Sequence, residues 1–400
     1  MPSRLANRLS VVAPSMTVKV TALAAEMRSR GVDVVSLSAG EPDFDTPEHV
    51  KLAAKQALDA GATKYTAVEG TPRLRRAAAA WFGRAHGFEV SPAEVMVTSG
   101  AKQAIHNAFH ALLDPGDEVI LPAPCWVSYA EIAKLAGAKP VPVLSRAEDG
   151  FAIDPRAIER AVTKSSRMIV LCSPSNPTGA IYDEASLRAV AELAERHDLW
   201  LLTDDIYRGL CYGGARFVQP ATFGPEIRRR TVIVDGVSKS YAMTGWRLGL
   251  CLAPGDIVSA MATLQGQSTT HAASVSQAAA LAALEGPQDE LEKMRLAFDE
   301  RRKLMLSGLR AIPGVTCVEP QGAFYAFPDV SAFIGRRTSA GRVVADDLLL
   351  CEYLLETAHV AVVPGSAFFA PGFVRLSYAA SPENIHKGLA RMTAALTDLR

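Results

Sequence analysis

Apolar and polar positions follow two spacings that alternate through most of the chain. Short, nearly continuous apolar runs stand at 95–98, 117–121, 168–172, 200–203, 231–234 and 248–252. They are rich in Val, Ile and Leu and end at Gly, Pro, Asp or Ser, which predicts buried strands. Shorter strands are predicted at 34–37, 322–327, 360–363 and 373–377. Helices are predicted from the Ser15/Thr17 region to about Arg30, after Thr46-Pro47, after Thr71-Pro72, from Ser99-Gly100 to about Leu113, through most of 258–284, over 288–311, and from Ser381-Pro382-Glu383. Thr46 and Thr71 are read as caps, each with proline at the first helical position. Repeated strand–helix alternation with wholly apolar strands predicts a mostly parallel sheet covered on both faces. The run at 248–252 follows its predecessor too closely for a helical crossover, so an antiparallel return is open there.

Composition narrows the class. The chain has 400 residues, 49% hydrophobic and 21% charged, with 42 basic against 42 acidic side chains. That size predicts two domains in a globular protein, and the balance of charge gives nucleic acid no basic face. The six cysteines are scattered, as in a reduced, cytoplasmic protein with neither disulfides nor a metal site. No apolar run is long enough to span a membrane. Walker A and G-x-G-x-x-G motifs are absent.

The candidate chemistry clusters just after the predicted strand ends, where open α/β sheets bind ligands. In TVIVDGVSKSYAMTGWRLG, residues 231–249, Lys239 stands past a strand with Ser238 beside it and Arg247 eight residues on. A partly desolvated lysine loses its proton readily and attacks carbonyls. A hydroxyl and a guanidinium nearby suit a phosphate. Ser99-Gly100-Ala101-Lys102 feeds a helix N-terminus, which is itself an anion site. Trp126, after the 117–121 strand, could stack on a planar ring. Asp204 and Asp205 end the 200–203 strand, and two buried carboxylates need partners. Arg375 lies inside the apolar strand 373–377 and needs an anion.

These motifs, together with GEPDF-x-TP at 40–47 and NPTG at 176–179, resemble the class I aminotransferases of fold type I, in particular the bacterial aspartate aminotransferase-like branch, over residues 15–395. The resemblance implies a mostly parallel seven-stranded sheet sandwiched by helices, with a smaller α+β domain built from both termini. The division would be 1–45 for an arm and part of the small domain, 46–287 for the cofactor domain and 288–400 for the rest. It implies pyridoxal 5′-phosphate held as a Schiff base on Lys239. Gly100, Ala101, Lys102, Ser238 and Arg247 would surround the phosphate. Trp126 would lie over the ring, Asp204 at its nitrogen, and Asn176 and Tyr207 at its 3-oxygen. Lys239, Asp204 and Tyr207 would be catalytic. Gly40, Trp126, Asn176 and Arg375 would meet the substrate's α-carboxylate end, with Lys102, Ser15 and Thr17 at its distal group. Tyr65 would reach the partner's site in a homodimer. Cis bonds are expected before Pro124 and Pro177.

The implied activity is ping-pong amino transfer, first with aspartate or glutamate, then with aromatic amino acids or prephenate. Two rivals share parts of the pattern. One is a C–S lyase on the same fold, and the other is a regulator that uses the domain as a sensor but carries an N-terminal DNA-binding domain. Two positions depart from the family pattern: Asp205, where glutamate is commoner, and His271-Ala272, where a small polar residue and proline are usual. The second borders the partner's site and bears on substrate choice.

Overall fold

The computed structural model describes residues 5–14 and 16–400. Its largest element is a seven-stranded sheet in the order 95–98, 249–252, 231–236, 200–204, 166–172, 118–123, 139–144. Only Gly249–Leu252 runs antiparallel, to both Val95–Thr98 and Thr231–Gly236. The other strands therefore point one way, and their C-terminal ends form one rim. Alternate residues feed opposite faces. Met96, Val170, Leu202 and Val234 enter one apolar cluster. Val97, Ile169, Leu201 and Ile233 enter clusters on the other side. Burial on both faces is why these strands read as unbroken apolar runs.

Six of the seven strands match the apolar runs. The seventh, Lys139–Leu144, is an edge strand with Pro140 and Pro142 and alternating exposure. Proline is tolerated there because an edge strand leaves one row of N–H groups unpaired. Its half-exposed pattern gives no apolar run to find.

A second group of elements closes over the rim. Val374–Ser377 pairs antiparallel with Tyr325–Ala326 and with Val363–Pro364. Val35–Ser36 pairs parallel with Val360–Ala361. The helices Asp289–Arg310 and Pro382–Thr397 pack together around a shared apolar cluster. That cluster also takes in Ile206, Tyr207 and Leu210, just past the Trp200–Asp204 strand. The second layer is thus anchored on the loop that carries the candidate site.

Local predictions fared unevenly. Thr71 and Ser381 cap their helices, each accepting a backbone N–H. Thr46 does not cap Glu48–Asp59, which has no side-chain cap. Its hydroxyl instead donates to Ala242 O at 2.8 Å and accepts from Trp246 Nε1 at 2.9 Å, tying this loop to the lysine loop. The 258–284 stretch is two helices, Gly255–Gly266 and Ser274–Glu285, with His271 in the break. The peptides before Pro124, Pro174 and Pro177 are cis; the one before Pro174 was not expected. Among the described residues no helix is long and apolar enough to cross a membrane.

The rim depends on close backbone approach. Gly236 pairs with Gly249, which pairs with Thr98. A Cβ on Gly249 would lie 2.5 Å from the Gly100 carbonyl carbon and against the Ala101 backbone. We expect Gly249→Ala to push the 99–101 turn off the sheet and to cost about 1–3 kcal/mol, as overpacking does. Urea unfolding measures the loss; an unchanged midpoint would contradict it.

Candidate active site

A cavity of about 550 Å³ lies between the sheet rim and the second layer. Six charged residues line it: Lys102, Lys239, Arg247 and Arg375 against Glu41 and Asp204. A chain with no net charge therefore presents a locally cationic cavity, suited to a ligand with several negative charges.

Lys239 lies three residues past Thr231–Gly236, on the rim. Its Nζ donates to Gly40 O at 2.5 Å. Burial pushes its pKa down to about 8, against the pull of the Glu41 carboxylate. Glu41 is itself held by Thr244 Oγ1 at 2.7 Å. The amine therefore gives up its proton more readily than an ordinary lysine, as a carbonyl nucleophile requires.

Asp204 is the last residue of its strand and is 4% exposed. It accepts from Tyr129 Oη at 2.6 Å and from Ile206 N at 3.4 Å. Burial raises its carboxyl to about 6; Asp235 adds to the rise, while the two hydrogen bonds and Lys239 oppose it. Tyr207 Oη pairs with Tyr325 Oη at 2.8 Å, both buried.

Arg375 comes from the middle strand of the second layer. Nη1 donates to Asn176 Oδ1 at 3.0 Å and Nη2 to Ser38 O at 2.8 Å. The guanidinium lies over Tyr325 at 4.4 Å. Nε is buried with no partner, and among the described residues no carboxylate pairs with Arg375. A guanidinium 2% exposed with neutral neighbours on a cavity wall has the chemistry to take a carboxylate.

The anion cradle is equally compact. Gly100 has φ +89°, and a Cβ there would sit 2.5 Å from Arg247 Nη2. Only glycine accommodates both constraints. Arg247 thus lies against the turn that opens the Ala101–Leu112 helix. The free N–H groups of that helix start and the guanidinium together fit a phosphate. With a carbonyl-reactive amine, a buried carboxylate and this cradle in one cavity, the residues present fit pyridoxal phosphate.

Most of the expected site residues converge here. Gly40, Ala101, Lys102, Trp126, Asn176, Asp204, Tyr207, Ser238, Lys239, Arg247, Arg375 and Thr17 all line the cavity. Lys102 stacks over Trp126, Nζ 4.8 Å from the ring centroid. Ser15 lies outside the described residues. Tyr65 is not on the cavity; it is 89% exposed, with its ring edge-on to His271 at 5.7 Å. His271 does not line the cavity either. Its Nε2 accepts from Thr66 N at 3.3 Å, which leaves Nδ1 to donate to Ala272 O at 2.7 Å, so it braces the Tyr65 loop. Sequence reasoning passed over Tyr129, Tyr325 and Glu41. Tyr129 sits one turn past Trp126, a weak signal; the other two touch the site only through the tertiary fold.

The sequence profile of the family described as "Aminotransferase class I and II" matches residues 32–392. The chain is 47% identical to the aspartate aminotransferase of Rhizobium meliloti (strain 1021), over 98% of this chain and 95% of that protein. It is also 47% identical to the aspartate/prephenate aminotransferase of Cereibacter sphaeroides, over 98% of both. The structure of Thermus thermophilus aspartate aminotransferase with maleate superposes with a TM-score of 0.92 at 45% identity, covering 98% of this chain and all of that one.

The raised pKa of Asp204 has a stability consequence. Between the ordinary 3.8 and about 6 the folded chain binds more protons than the unfolded one. Its ionised form therefore costs stability that appears as pH rises through that window. Asp204→Asn keeps an acceptor for Tyr129 and removes the charge. The cofactor-free variant should be more stable than the parent at pH 7 by about 1–3 kcal/mol, a gain that fades by about pH 4. Urea unfolding at the two pH values checks this; an equal difference at both would contradict it.

Proposed function

This chain belongs to the class I and II aminotransferases, and we propose that it moves the amino group of aspartate or glutamate to a 2-oxo acid by a ping-pong route. The family implies pyridoxal phosphate as cofactor. Bound here, it would supply an aldehyde and an electron-withdrawing ring. Lys239 is the residue to hold it, and the cradle of Gly100, Ala101, Ser238 and Arg247 the place for its phosphate. Asp204 would set a negative charge toward its ring nitrogen, and Tyr207 and Asn176 would offer groups to its 3-oxygen. Trp126, on the cavity wall, would cover one ring face.

The observation that carries the substrate half is Arg375, a buried guanidinium with no carboxylate partner among the described residues. Arg375 and Asn176 fix the α-carboxylate of an amino acid and so orient its Cα toward Lys239. Lys239 Nζ, easily deprotonated, takes the proton from Cα and returns it on the far side of the transfer. Lys102 and Thr17, both on the cavity wall, are the groups for the distal end of the substrate. Lys102 would leave Trp126 to meet a second carboxylate. The similar Thermus structure holds maleate, a dicarboxylate, which supports acidic substrates here. The relative named aspartate/prephenate aminotransferase makes prephenate the next acceptor to test.

The same reading makes the enzyme a homodimer in which Tyr65, so exposed on a single chain, reaches the other subunit's cofactor. It keeps 46–287 as the cofactor domain, with the flanking segments forming the smaller one.

A donor screen that follows the cofactor's absorption tests the proposal. Aspartate and glutamate should convert it, and Lys102→Ala should slow both by about tenfold or more while sparing alanine, the loss of one charge-assisted bond. Arg375→Ala should slow every α-amino acid on the order of a hundredfold. Conversion by aromatic or neutral donors alone would overturn the acidic substrate. No conversion by any donor would overturn amino transfer.

A further inference from the structure

The loop 60–71 joins the helices Glu48–Asp59 and Pro72–His86 and carries the exposed Tyr65. It has no helix or strand of its own. It is held from across the chain by residues 265–277, around the break between the helices Gly255–Gly266 and Ser274–Glu285. Gln265, wholly buried, donates from Nε2 to Val68 O at 2.8 Å. Gln277, 1% exposed, accepts from Thr71 N at 2.8 Å and donates to Thr66 Oγ1 at 3.0 Å. Ser274 Oγ donates to Ala62 O at 2.5 Å. The break is itself fixed. Thr270, at φ +66°, donates from its N–H to Gln265 O at 2.9 Å. Thr269 Oγ1 accepts from Gln103 Nε2 at 2.6 Å, and Gln103 Oε1 accepts from Ser99 N at 2.6 Å, in the turn that forms the anion cradle.

These bonds hold the loop at both sides of Tyr65, and His271 reaches Tyr65 itself. Its Nε2 accepts from Thr66 N at 3.3 Å, which fixes the peptide that follows Tyr65. Its ring meets the Tyr65 ring edge-on, with centroids 5.7 Å apart and planes at 89°. The bond from Nδ1 to Ala272 O at 2.7 Å leaves Nε2 as the acceptor. One imidazole thus constrains both the backbone and the ring of an exposed tyrosine. This bracing does nothing for the subunit's own cavity wall, which neither residue lines. His271 is also where the chain departs from the family pattern, and a small side chain there would give Tyr65 no ring to pack against.

We propose that His271 preorganises Tyr65 for the other subunit's cofactor phosphate, and so strengthens cofactor binding in that subunit's cavity. The inference rests on the reading that Tyr65 reaches the partner's site. A free surface tyrosine turns about two side-chain bonds, and ordering such a side chain on binding costs about three- to tenfold in affinity. With the ring and the Thr66 peptide already held, that cost is met before the cofactor arrives.

His271 is a positioning residue, so the test reads cofactor affinity and not turnover. Pyridoxamine phosphate, which forms no Schiff base with Lys239, is titrated into the cofactor-free full chain. Quenching of tryptophan fluorescence gives its dissociation constant, and sedimentation verifies one oligomeric state across the variants. His271→Leu removes both the acceptor and the ring, and the constant should rise about three- to tenfold. His271→Ser serves the same purpose if the leucine variant fails to fold. His271→Gln keeps an acceptor for Thr66 N–H and should stay closer to the parent. Tyr65→Phe removes the hydroxyl and should weaken binding by about tenfold or more. Added to Tyr65→Phe, His271→Leu should cost less than about twofold, because no hydroxyl is left to position. If Tyr65→Phe weakens binding and His271→Leu does not, the reading of Tyr65 stands and the brace is overturned. The brace is equally overturned if His271→Leu costs as much beside Tyr65→Phe as alone, or if His271→Gln is no better than His271→Leu. If Tyr65→Phe itself leaves the constant unchanged, the reading of Tyr65 fails and the inference fails with it.

Discussion

Taking Asp204 and Arg375 out of water, and Lys239 partly so, is the constraint on which the rest depends. Each ion loses hydration worth several kcal/mol, and none is paired with another by a salt bridge. The chain meets the cost locally with neutral groups. Tyr129 donates to Asp204, Gly40 O accepts from Lys239, and Asn176 and Ser38 O accept from Arg375. These partners offset part of the penalty but leave the charges uncompensated, so the cavity is primed for a ligand that supplies the missing ones. The lowered pKa of Lys239 and the raised pKa of Asp204 express this one fact twice.

The fold exists to bring these groups together from distant parts of the chain. Lys239, Asp204, Asn176 and Trp126 all follow C-terminal ends of strands in one sheet, so one rim gathers them. Arg375 arrives from a different sheet, in a strand that the second layer presses onto the rim. The two layers are locked by Tyr207, whose hydroxyl meets Tyr325 and whose ring packs edge-on against Phe324. A buried hydroxyl pair thus helps to register the rim and second-layer walls of the cavity, beside the Arg375–Asn176 bond. Gly249 and Gly100 perform the same service for the anion cradle, because a Cβ on either would force the turn away from the strand or from Arg247.

Much of this was legible because the chemistry follows short apolar runs. A strand buried on both faces reads as an unbroken run, and the residues just past it are then candidates by position alone. The Lys139–Leu144 edge strand escaped because its prolines and exposed side chains erase the pattern. Thr46 was misread because a Thr-Pro cap and a Thr hydroxyl bridging to Ala242 look alike along the chain. Glu41 and Tyr325 could not be ranked, since their proximity to Lys239 and Arg375 arises only when the second layer closes. His271 stood out as a departure from the family pattern, yet its role as a brace for Thr66 depends on a loop some two hundred positions away.

The central claim is that the amine of half-buried Lys239 is the covalent anchor of the site. Borohydride reduction of holoenzyme, followed by peptide mass mapping, tests it most directly. The account predicts a phosphopyridoxyl mass on the peptide that carries Lys239 and no label in Lys239→Ala. Label on Lys102 or on another lysine, with Lys239 unmodified, would contradict it.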